Sequence, residues 1–527
     1  MNEPLHSFLN SVLPYVPLTV IGVWRWSMWA ARKIAARLFY RPLRAPWPAD
    51  QPKPRVSVVT PVYNEDPDIF DQAVQSWIAN GVAEVIAVID YSNTRQIISF
   101  QRDFGSRRDV SCRAIVTRKP GKRAALADGC AQASGEIIAL VDSDTIWGDK
   151  VMTAVLPYFG QTEIGGVTTQ QRVLGPKTVA EVLFDIVLWD RYHEEVPFLL
   201  AAGKVVNTLS GRTAFYRREA LLNPRHDNLH LLTHEFYWRS RCISGDDKRL
   251  THLVLEQGWH LGYAPDAVVY TPGMPKLKTY LKQRVRWTRN SWRADTRAFK
   301  RTWVLRHPAL AIYNLDRFVQ PFFMLIGPIA LVIALTRGAW PVVLALVIWW
   351  LVTRFIRLFG YFRAYPARLR YLPAYIVFSY VNALVKIYAW ATILEQGWIT
   401  RWDKKRLARK RTRSLLQGSA LTLAAVAGMF VAVEQLLVKA EVVTEVAGPT
   451  DPLPISLPVI PSGQPAPPPG AATARPVRSY QVVPGDRLTD VAARLGVPID
   501  ELRRINSIPN RNRIDAGQVL YYFGSVR

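Results

Sequence analysis

The pattern of apolar and polar positions changes along the chain. Between residues 54 and 273, short β-branched runs such as 56–60, 85–89 and 137–141 end in polar loops, and helical patterns such as 122–133 separate them. Strand-like runs that alternate with helical patterns predict an α/β fold, with a mostly parallel sheet and flanking helices. In such sheets, ligands bind at the carboxyl ends of the strands.

Long apolar runs lie on both sides of this domain. We predict an N-terminal anchor and basic segment at 1–53, interfacial amphipathic helices at 274–317, two transmembrane helices at 318–360 and a last one at 414–434. Residues 372–396 are also apolar, but a crossing there would put the basic run 401–413 outside, against the positive-inside tendency. We therefore predict that 361–413 is a cytosolic interfacial or re-entrant segment.

Charge and cysteine content narrow the class of protein. The 527 residues carry a formal net charge of +26, and the basic runs 25–44, 354–370 and 401–413 adjoin apolar stretches, as in segments that face anionic lipid. No nucleic-acid-binding motif is present in the sequence, so we expect membrane lipid and no nucleic acid as partners. The 3 cysteines have neither disulfide-framework nor zinc spacing, which indicates thiols in a reducing cytosol.

Polar residues follow three of the predicted strands. Tyr63 and Glu65 follow the first, Asp90 the second, and Asp142 and Asp144 the third. Because parallel strands end at one edge of a sheet, we expect these side chains to converge there. Two carboxylates spaced two apart suit Mg²⁺ or Mn²⁺, although a polar loop also produces this pattern by chance.

A second group of candidates lies within residues 240–293. Asp246 and Asp247 stand where a helix would begin, and Gln283, Arg286 and Trp287 recur at helical spacing. Adjacent carboxylates disfavour double ionisation, so one of them can act as a general base near neutral pH. Arg286 suits a diphosphate, Trp287 the apolar face of a sugar, and Gln283 an acceptor hydroxyl. Helix capping remains the alternative role for either aspartate.

These motifs resemble a known family. Gly245-Asp246-Asp247 followed by Gln283-Arg-x-Arg286-Trp287 is similar to the processive, inverting family-two glycosyltransferases of membranes, especially hyaluronan synthases and nodulation-type chitooligosaccharide synthases. The resemblance covers about residues 54–401. It implies a UDP-sugar donor, a growing polysaccharide acceptor and Mg²⁺ or Mn²⁺ at Asp142 and Asp144. It also favours Asp247 over Asp246 as the base.

The resemblance assigns further substrate-binding residues. It implies that Pro61, Tyr63, Glu65 and Asp90 hold the nucleoside, Lys122 and Arg123 a phosphate or the uracil carbonyl, Asp142 the diphosphate through the metal, and Ser210, Gly211 and Arg212 the acceptor or donor. A strand-end turn at Asp90 and a solvated basic turn at Lys122 and Arg123 are the alternatives. The chain departs from the family at Tyr91, where relatives carry a small residue, and at Arg212, where they often carry Pro.

The C-terminal part differs in composition from the rest. Residues 435–477 form a proline-rich linker, and residues 478–527 have the pattern of a strand, two short helices and a strand. This segment, with Gly485-Asp486, Leu488 and Asn506, resembles a LysM domain. The resemblance implies binding to peptidoglycan or another N-acetylglucosamine polymer. The last predicted span would place it on the outer or periplasmic side of the inner membrane.

Together the motifs predict a membrane-embedded, metal-dependent, inverting glycosyltransferase that polymerises UDP-sugars, hyaluronan-like or chitin-like, and passes the chain outward. The catalytic domain would be cytosolic. A non-processive transferase acting on a lipid or short acceptor is one alternative. An inactive scaffold that tethers to the wall through its C-terminal domain is another.

Overall fold

The computed structural model describes residues 12–119, 121–223, 225–238, 240–395 and 404–447, and parts of the C-terminal segment at 478–481, 488–495, 499 and 519–522. Contacts divide the chain into two units, Met1–Gly448 and Pro449–Arg527. The first residues of the predicted anchor, most of the linker and the second helix of the predicted C-terminal domain lie outside the described residues.

The strands of the first unit belong mostly to one sheet. They are β1 (Val56–Val62), β2 (Glu84–Asp90), β3 (Ser111–Thr117), β4 (Ile137–Val141), β5 (Ile146–Trp147), β6 (Ile164–Val173), β7 (Thr213–Arg217), β8 (Phe236–Tyr237), β9 (Ser240–Arg241) and β10 (His260–Thr271). The eight-stranded sheet has the order β3-β2-β1-β4-β7-β6-β10-β5, and β8 pairs with β9 separately. β3, β2, β1 and β4 are parallel, whereas β7 is antiparallel to β4 and β6.

The α-helices alternate with these strands and then continue alone. They are α1 (Val16–Phe39), α2 (Pro67–Ala79), α3 (Thr94–Phe104), α4 (Lys122–Gln132), α5 (Val151–Val155), α6 (Val179–Asp190), α7 (Val196–Gly203), α8 (Arg218–Leu221), α9 (Asn228–Thr233), α10 (Asp246–Glu256), α11 (Leu277–Lys300), α12 (Pro308–Thr336), α13 (Trp340–Ala364), α14 (Leu372–Ala391) and α15 (Lys404–Ala447). A π-helical turn, Arg191–Glu195, joins α6 to α7.

Alternation of side chains along the strands fills both faces of the sheet. On β1, Val58 belongs to one buried cluster with Trp77, while its neighbour Val59 belongs to another with Leu126. Successive residues of a strand point to opposite faces, so helices cover both sides of a sheet of this kind. The predicted mostly parallel α/β fold with flanking helices is confirmed.

Four helices in the described part of the chain are long and apolar enough to cross a membrane, by length and composition. They are Pro308–Thr336, Trp340–Ala364, Pro366–Ala391 and Leu415–Ala440. The set includes the segment that we predicted not to cross. It does not include α1, whose apolar run is interrupted by Arg25 and Arg32. Arg32 Nη2 lies 2.9 Å from Asp316 Oδ2 on α12, an ion pair that fixes α1 against that helix.

The described C-terminal residues form β11 (Arg478–Gln481), α16 (Leu488–Leu495) and β12 (Val519–Tyr522). The two strands pair antiparallel, with Tyr480 opposite Leu520. Leu488, Val491 and Ala492 of the helix are buried. The outer strands and the first helix of the predicted βααβ pattern are therefore present.

Candidate active site

Lys122 joins the two predicted groups of carboxylates. Its ammonium nitrogen lies 2.5 Å from Asp142 Oδ1 and 3.1 Å from Asp246 Oδ2. Asp142 follows β4, whereas Asp246 begins α10, so one lysine holds together residues that are far apart in the sequence. A Cβ at Gly211 would lie 3.1 Å from the same nitrogen, which is tighter than an ordinary contact. A glycine there lets the backbone lie against the lysine.

A second cluster of acidic side chains lies at the ends of β1 and β4. Glu65 accepts a hydrogen bond of 2.7 Å from Ser143 Oγ. Burial, followed by the charges of Asp142 and Glu65, raises the pKa of Asp144 to about 7. Negative charge is thus crowded at the position where a divalent cation was predicted.

The chemistry of these ligands fits such a cation. Among the described residues, no three or more His, Cys, Asp or Glu side chains are grouped so that they could hold a metal ion by themselves. Asp142 and Asp144 offer two carboxylates, and Mg²⁺ in phosphoryl sites takes one or two carboxylates while substrate phosphates and waters supply the rest. The site therefore suits a cation that arrives with a diphosphate.

The adjacent aspartates of α10 have opposite electrostatic environments. Burial raises the pKa of Asp246, but the charge and hydrogen bond of Lys122, together with the charge of Arg123, hold that pKa below its usual range. The pKa of Asp247 is raised by burial and then by the charge of Asp246, with Lys122 and Arg191 acting in the opposite direction. The Asp247 carboxylate accepts a hydrogen bond of 2.7 Å from the Lys248 amide. Asp247 is therefore the better proton acceptor of the pair.

Helix α11 presents the second predicted motif to the same carboxylates. Arg286 Nε donates to Gln283 Oε1 at 3.1 Å. Burial lowers the pKa of Arg286, and the charges of Asp246, Asp142 and Asp247 act against this effect. The guanidinium therefore lies within electrostatic range of the three carboxylates, and all four side chains line one cavity.

Trp287 and the predicted acceptor loop form one packed group. The Arg212 guanidinium carbon lies 5.4 Å from the centre of the Trp287 ring and 4.9 Å from that of Phe184. Arg212 Nη1 and Ser210 Oγ both donate to Gln171 Oε1, at 3.2 and 3.1 Å. The loop is thus bonded to β6 and packs on the tryptophan of α11.

The predicted nucleoside end is more open. Tyr63, after β1, is 44% exposed, so its ring is available for stacking. Asp90 accepts a hydrogen bond of 3.0 Å from the Ser92 amide and another from the Ser92 hydroxyl. Tyr91 is 40% exposed, and Arg118 lies over its ring. The predicted turn at Asp90 is present, and its carboxylate lines the same cavity as Tyr63.

Arg123 does not share the position of Lys122, and it is the one predicted substrate-binding residue that does not line the cavity. Its guanidinium donates to Glu235 Oε2 at 2.6 Å, to Leu232 O at 3.0 Å, and to Ser244 O and Gly245 O at 2.8 and 3.0 Å. Consecutive residues of a helix do not share a face, so Lys122 faces the carboxylates while Arg123 is buried behind them. Arg123 holds the segment that precedes Asp246.

All the other predicted site residues line one cavity of about 1780 Å³. They are Pro61, Tyr63, Glu65, Asp90, Lys122, Asp142, Asp144, Ser210, Gly211, Arg212, Asp246, Asp247, Gln283, Arg286 and Trp287. The cavity continues among the apolar helices, where Gln320, Trp349, Asn382 and Lys386 line it. The site and the helical bundle therefore share one continuous space.

Several lining residues belong to no motif that the sequence revealed. Arg191, Asn207 and Asn290 line the cavity next to the predicted residues. A Cβ at Gly245, where φ is +79°, would lie 2.9 Å from Asn290 Cβ, so α10 and α11 touch at this glycine. Spacing could have suggested two of them, because Asn207 lies three residues before Ser210 and Asn290 three residues after Trp287, whereas Arg191 had no such signal.

Comparison with known proteins identifies two domains. Residues 54–290 match the family described as "Glycosyltransferase like family 2", and residues 480–521 match the LysM domain. A "Type 2 glycosyltransferase" of Zymoseptoria tritici is 25% identical over 395 residues, covering 71% of this chain and 82% of the relative. An "N-acetylglucosaminyltransferase" of Rhizobium meliloti is 29% identical over 392 residues, covering 69% and 87%.

A solved mannosyltransferase from Pyrobaculum calidifontis, in complex with GDP-Man and Mn²⁺, is 19% identical with a TM-score of 0.48, and covers 71% of this chain and 98% of that one. This last similarity is too low to support an inference about the site. The family matches and the convergence of the motif residues agree with each other. Residues 54–290 of this chain are a family 2 glycosyltransferase domain, and the same chain carries a C-terminal LysM domain.

Proposed function

We propose that the protein polymerises UDP-sugars into a chain that contains N-acetylglucosamine, with inversion at the anomeric carbon. The growing chain would pass through the membrane helices. The observation that carries this proposal is the single cavity that begins at the carboxylates and continues among the apolar helices. A transferase that released each product to the cytosol would not need that continuation. The rhizobial relative named as an N-acetylglucosaminyltransferase and the LysM domain support the choice of sugar.

Asp247 is the proposed general base. It removes the proton of the acceptor hydroxyl as that oxygen attacks the anomeric carbon, and the bond from this carbon to the diphosphate breaks. Asp246 is less suited because Lys122 lies 3.1 Å away and stabilises its charged, weakly basic form. A base is most effective when its pKa is close to the working pH, and the raised pKa of Asp247 moves it in that direction.

The cationic side of the site would bind the leaving diphosphate. Arg286 provides a planar donor pair suited to phosphate oxygens. Asp142 and Asp144 are the residues that would hold Mg²⁺ or Mn²⁺, which when bound supplies charge stabilisation to the diphosphate. Pro61, Tyr63 and Asp90 would bind the nucleoside, with Tyr63 stacking on the base.

The membrane arrangement also belongs to this proposal. The described helices Pro308–Thr336, Trp340–Ala364 and Leu415–Ala440 would cross the inner membrane together with α1 as a retained anchor. Pro366–Ala391 has the length to cross, yet a crossing would move the basic run 401–413 to the outer side. The catalytic domain would then be cytosolic and the LysM domain periplasmic or external, where it meets N-acetylglucosamine polymers.

The test uses purified full-length protein in lipid nanodiscs with labelled UDP-N-acetylglucosamine, alone and paired with UDP-glucuronic acid, in Mn²⁺ or Mg²⁺. We expect UDP release together with products that grow long while substrate is still abundant. Products of one or a few sugars would establish the non-processive alternative. Absence of UDP release from every donor would refute the enzymatic proposal and leave the tethering scaffold.

Asp247→Asn separates binding from chemistry in the same preparation. This variant keeps the shape of the side chain but removes its basicity, so we expect wild-type UDP affinity with turnover reduced about 10²–10⁴-fold, as for loss of a general base. Unchanged turnover would exclude Asp247 from the role. Asp246→Asn, measured beside it, shows which aspartate of the pair is the base.

A further inference from the structure

A small β-ribbon stands apart from the main sheet of the glycosyltransferase domain. It consists of β8 and β9, in which Phe236 pairs with Arg241 and Tyr237 with Ser240. Phe236 is 56% exposed, and Trp238, which follows β8, is 84% exposed. No other large apolar side chain in the described part of the chain is as exposed as Trp238. The tip of this ribbon therefore offers two aromatic rings to its surroundings.

The backbone at the tip is unusual for a tryptophan. The φ angle of Trp238 is +55°, in the left-handed region. A Cβ makes this region costly, and bulky residues are rare in it. An ordinary surface turn carries glycine or asparagine at such a position. A tryptophan that occupies this conformation at a cost in stability indicates a function for the exposed ring.

The base of the ribbon is fixed to the catalytic domain. Arg241 Nε and Nη2 both donate to Thr233 O, at 3.2 and 3.0 Å. The Cys242 amide donates to Glu235 O at 2.8 Å and closes the ribbon. Arg297 Nη2, on α11, donates to Phe236 O at 2.8 Å. The ribbon is thus a firm support for its tip.

The ribbon joins α11 where that helix meets the apolar helices. Tyr237 Oη and Thr296 Oγ1 are hydrogen-bonded at 3.2 Å. Thr296 lies between Trp292 and Phe299, whose ring centres are 4.6 and 6.3 Å from that of Phe318. Residues 292, 296 and 299 are spaced by four and three, so they share one face of the helix. The ribbon is therefore attached to the face of α11 that packs against Phe318.

Phe318 marks the boundary of the apolar part of the helical bundle. On α12, Asp316 and Arg317 precede Phe318, and an apolar run follows within a helix that is long enough to cross a membrane.

A second candidate span gives the same level. Arg289 of α11 donates to Thr392 Oγ1 at 2.7 Å. A Cβ on Gly418, near the start of the span Leu415–Ala440, would clash with Thr392 Cγ2. Two spans thus begin beside residues 289–299 of α11. The ribbon is attached at the level where the surface of a bilayer would lie.

The charge around the ribbon suits an anionic surface. Arg241 is exposed. Glu235, which precedes β8, is 6% exposed and forms ion pairs with Arg123, Arg249 and Arg297, so its charge is compensated inside the domain. Tryptophan is enriched at membrane–water interfaces, and arginine near the surface is attracted by anionic lipid.

We propose that the tip of this ribbon inserts Phe236 and Trp238 into the headgroup region of a bilayer that contains anionic lipid, while Arg241 pairs with the lipid phosphates. This inference rests on the proposed membrane placement and is independent of the sugar that is transferred.

Other occupants match the ribbon less well. Aromatic rings can also stack on a sugar chain, but neither Phe236 nor Trp238 lines the cavity that contains the predicted site residues, so a chain growing there would not meet them. A second copy of the protein could cover the rings, but it would not need the ribbon to lie beside the start of two spans. The level and the positive charge both favour lipid.

Docking of the tip would restrain the segment that leads to the proposed base. Arg123 bonds to Glu235, just before the ribbon, and to Ser244 O and Gly245 O, just after it. Asp246 and α10 follow directly. A lipid surface that holds the tip would therefore limit movement at the start of α10.

Photo-crosslinking identifies the occupant. A photoreactive benzoylphenylalanine replaces Trp238 in the full-length protein, which is placed in nanodiscs of phosphatidylcholine with or without phosphatidylglycerol. We expect adducts to lipid, with a larger share of phosphatidylglycerol among the adducts than in the bilayer. Adducts only to a second copy or to a sugar chain, or no adducts at all, would overturn the proposal.

The control position is Ile98 on α3. Ile98 is 58% exposed, and α3 packs beside β3, the strand at one edge of the main sheet. The same photoreactive residue at this position should give no lipid adducts. Equal lipid adducts from both positions would also overturn the proposal, because contact with lipid would then be unspecific.

Amide hydrogen exchange measures the restraint on α10 without any sugar transfer. We expect slower exchange at residues 242–246 in nanodiscs with phosphatidylglycerol than in phosphatidylcholine alone. The difference should vanish when Phe236→Ser and Trp238→Ser are combined, and it should persist in Ile98→Ser. Equal exchange in the two lipids would refute the coupling. Absence of sugar transfer with lipid adducts intact would contradict the proposed function and leave this inference standing.

Discussion

Replacing Arg123 by alanine tests the structural role that the fold gives this residue. Its side chain is 5% exposed and bonds to Glu235 and to three backbone carbonyls, two of which belong to Ser244 and Gly245. These carbonyls directly precede Asp246. We expect Arg123→Ala to destabilise the glycosyltransferase domain and to reduce turnover by releasing the start of α10.

The size of the effect follows from the pairing. Removing one partner of a buried ion pair costs about 3–5 kcal/mol, because the remaining charge stays desolvated. Glu235 keeps Arg249, 2.7 Å away, and Arg297, so its own charge remains compensated. The main loss is then the charge-assisted hydrogen bonds to the carbonyls, at about 1.5–3 kcal/mol each and not additive. Because the contributions of the three bonds do not add in full, we expect the free energy of unfolding to fall by about 3–5 kcal/mol in total.

Thermal unfolding by intrinsic fluorescence measures this loss. At about 2–4 °C per kcal/mol for a domain of roughly 150–250 residues, the Tm should fall by roughly 6–20 °C. Arg123→Lys should recover only part of it, since one ammonium cannot reach all four acceptors. The control is Arg102→Ala, which removes a solvent-exposed pair with Asp103 and should leave the Tm nearly unchanged, because water screens such pairs. A stable Arg123→Ala protein with a raised KM for the donor would refute this reasoning and restore the substrate-binding role.

Three further predictions concern the same site. Gly245→Ala adds a Cβ 2.9 Å from Asn290 Cβ at a φ of +79°, so the Tm and the turnover should both fall, whereas Gly258→Ala, with φ +93° and open space, should lower the Tm alone. The pKa of Asp247 is raised above the ordinary value of about 4, so kcat should rise with pH through that pKa. Asp246→Asn removes the neighbouring negative charge, so the rising limb of the pH–kcat profile should move to lower pH. A move to higher pH would contradict the assignment. Chelation with EDTA should abolish transfer, Mn²⁺ should restore it, and Asp144→Asn should raise the Mn²⁺ concentration for half-maximal rate at least ~10-fold.

The sheet and its strand ends could be predicted because they depend on local patterns. The runs in β1, β2 and β4 are β-branched and buried on both faces, and this composition is typical of parallel strands. Parallel strands end at one edge, so the sequence alone was enough to group Glu65, Asp90 and Asp142. The antiparallel insertion of β7 between β4 and β6 had no such local signal.

The presence of Arg191 and Asn207 on the cavity could not be predicted from local sequence patterns. The π-helical turn has no sequence pattern comparable to a strand or a capping box, and the two residues are brought together by folding rather than by spacing. Helix α1 was difficult for another reason. Its apolar run resembles a span, but its basic residues form ion pairs with Asp316, a partner that only the fold brings near.

Charged pairs of neighbours show most clearly what sequence reasoning leaves open. Lys122 and Arg123 carry the same charge at the start of one helix, as do Asp246 and Asp247 at the start of another. Neighbours on a helix point in different directions, so each pair divides its roles: one member enters the Lys122–Asp142–Asp246 cluster and the other does not.

This division also explains the electrostatic state of the site. Lys122 compensates Asp142 and Asp246, while Asp144 and Asp247 keep raised pKa values because burial and neighbouring carboxylates outweigh the cations around them. The excess negative charge at Asp144 favours a divalent cation with its diphosphate. The excess negative charge at Asp247 favours transfer of a proton from the acceptor hydroxyl to this carboxylate. One lysine placed between two of four aspartates thus leaves the other two for the two halves of the proposed reaction.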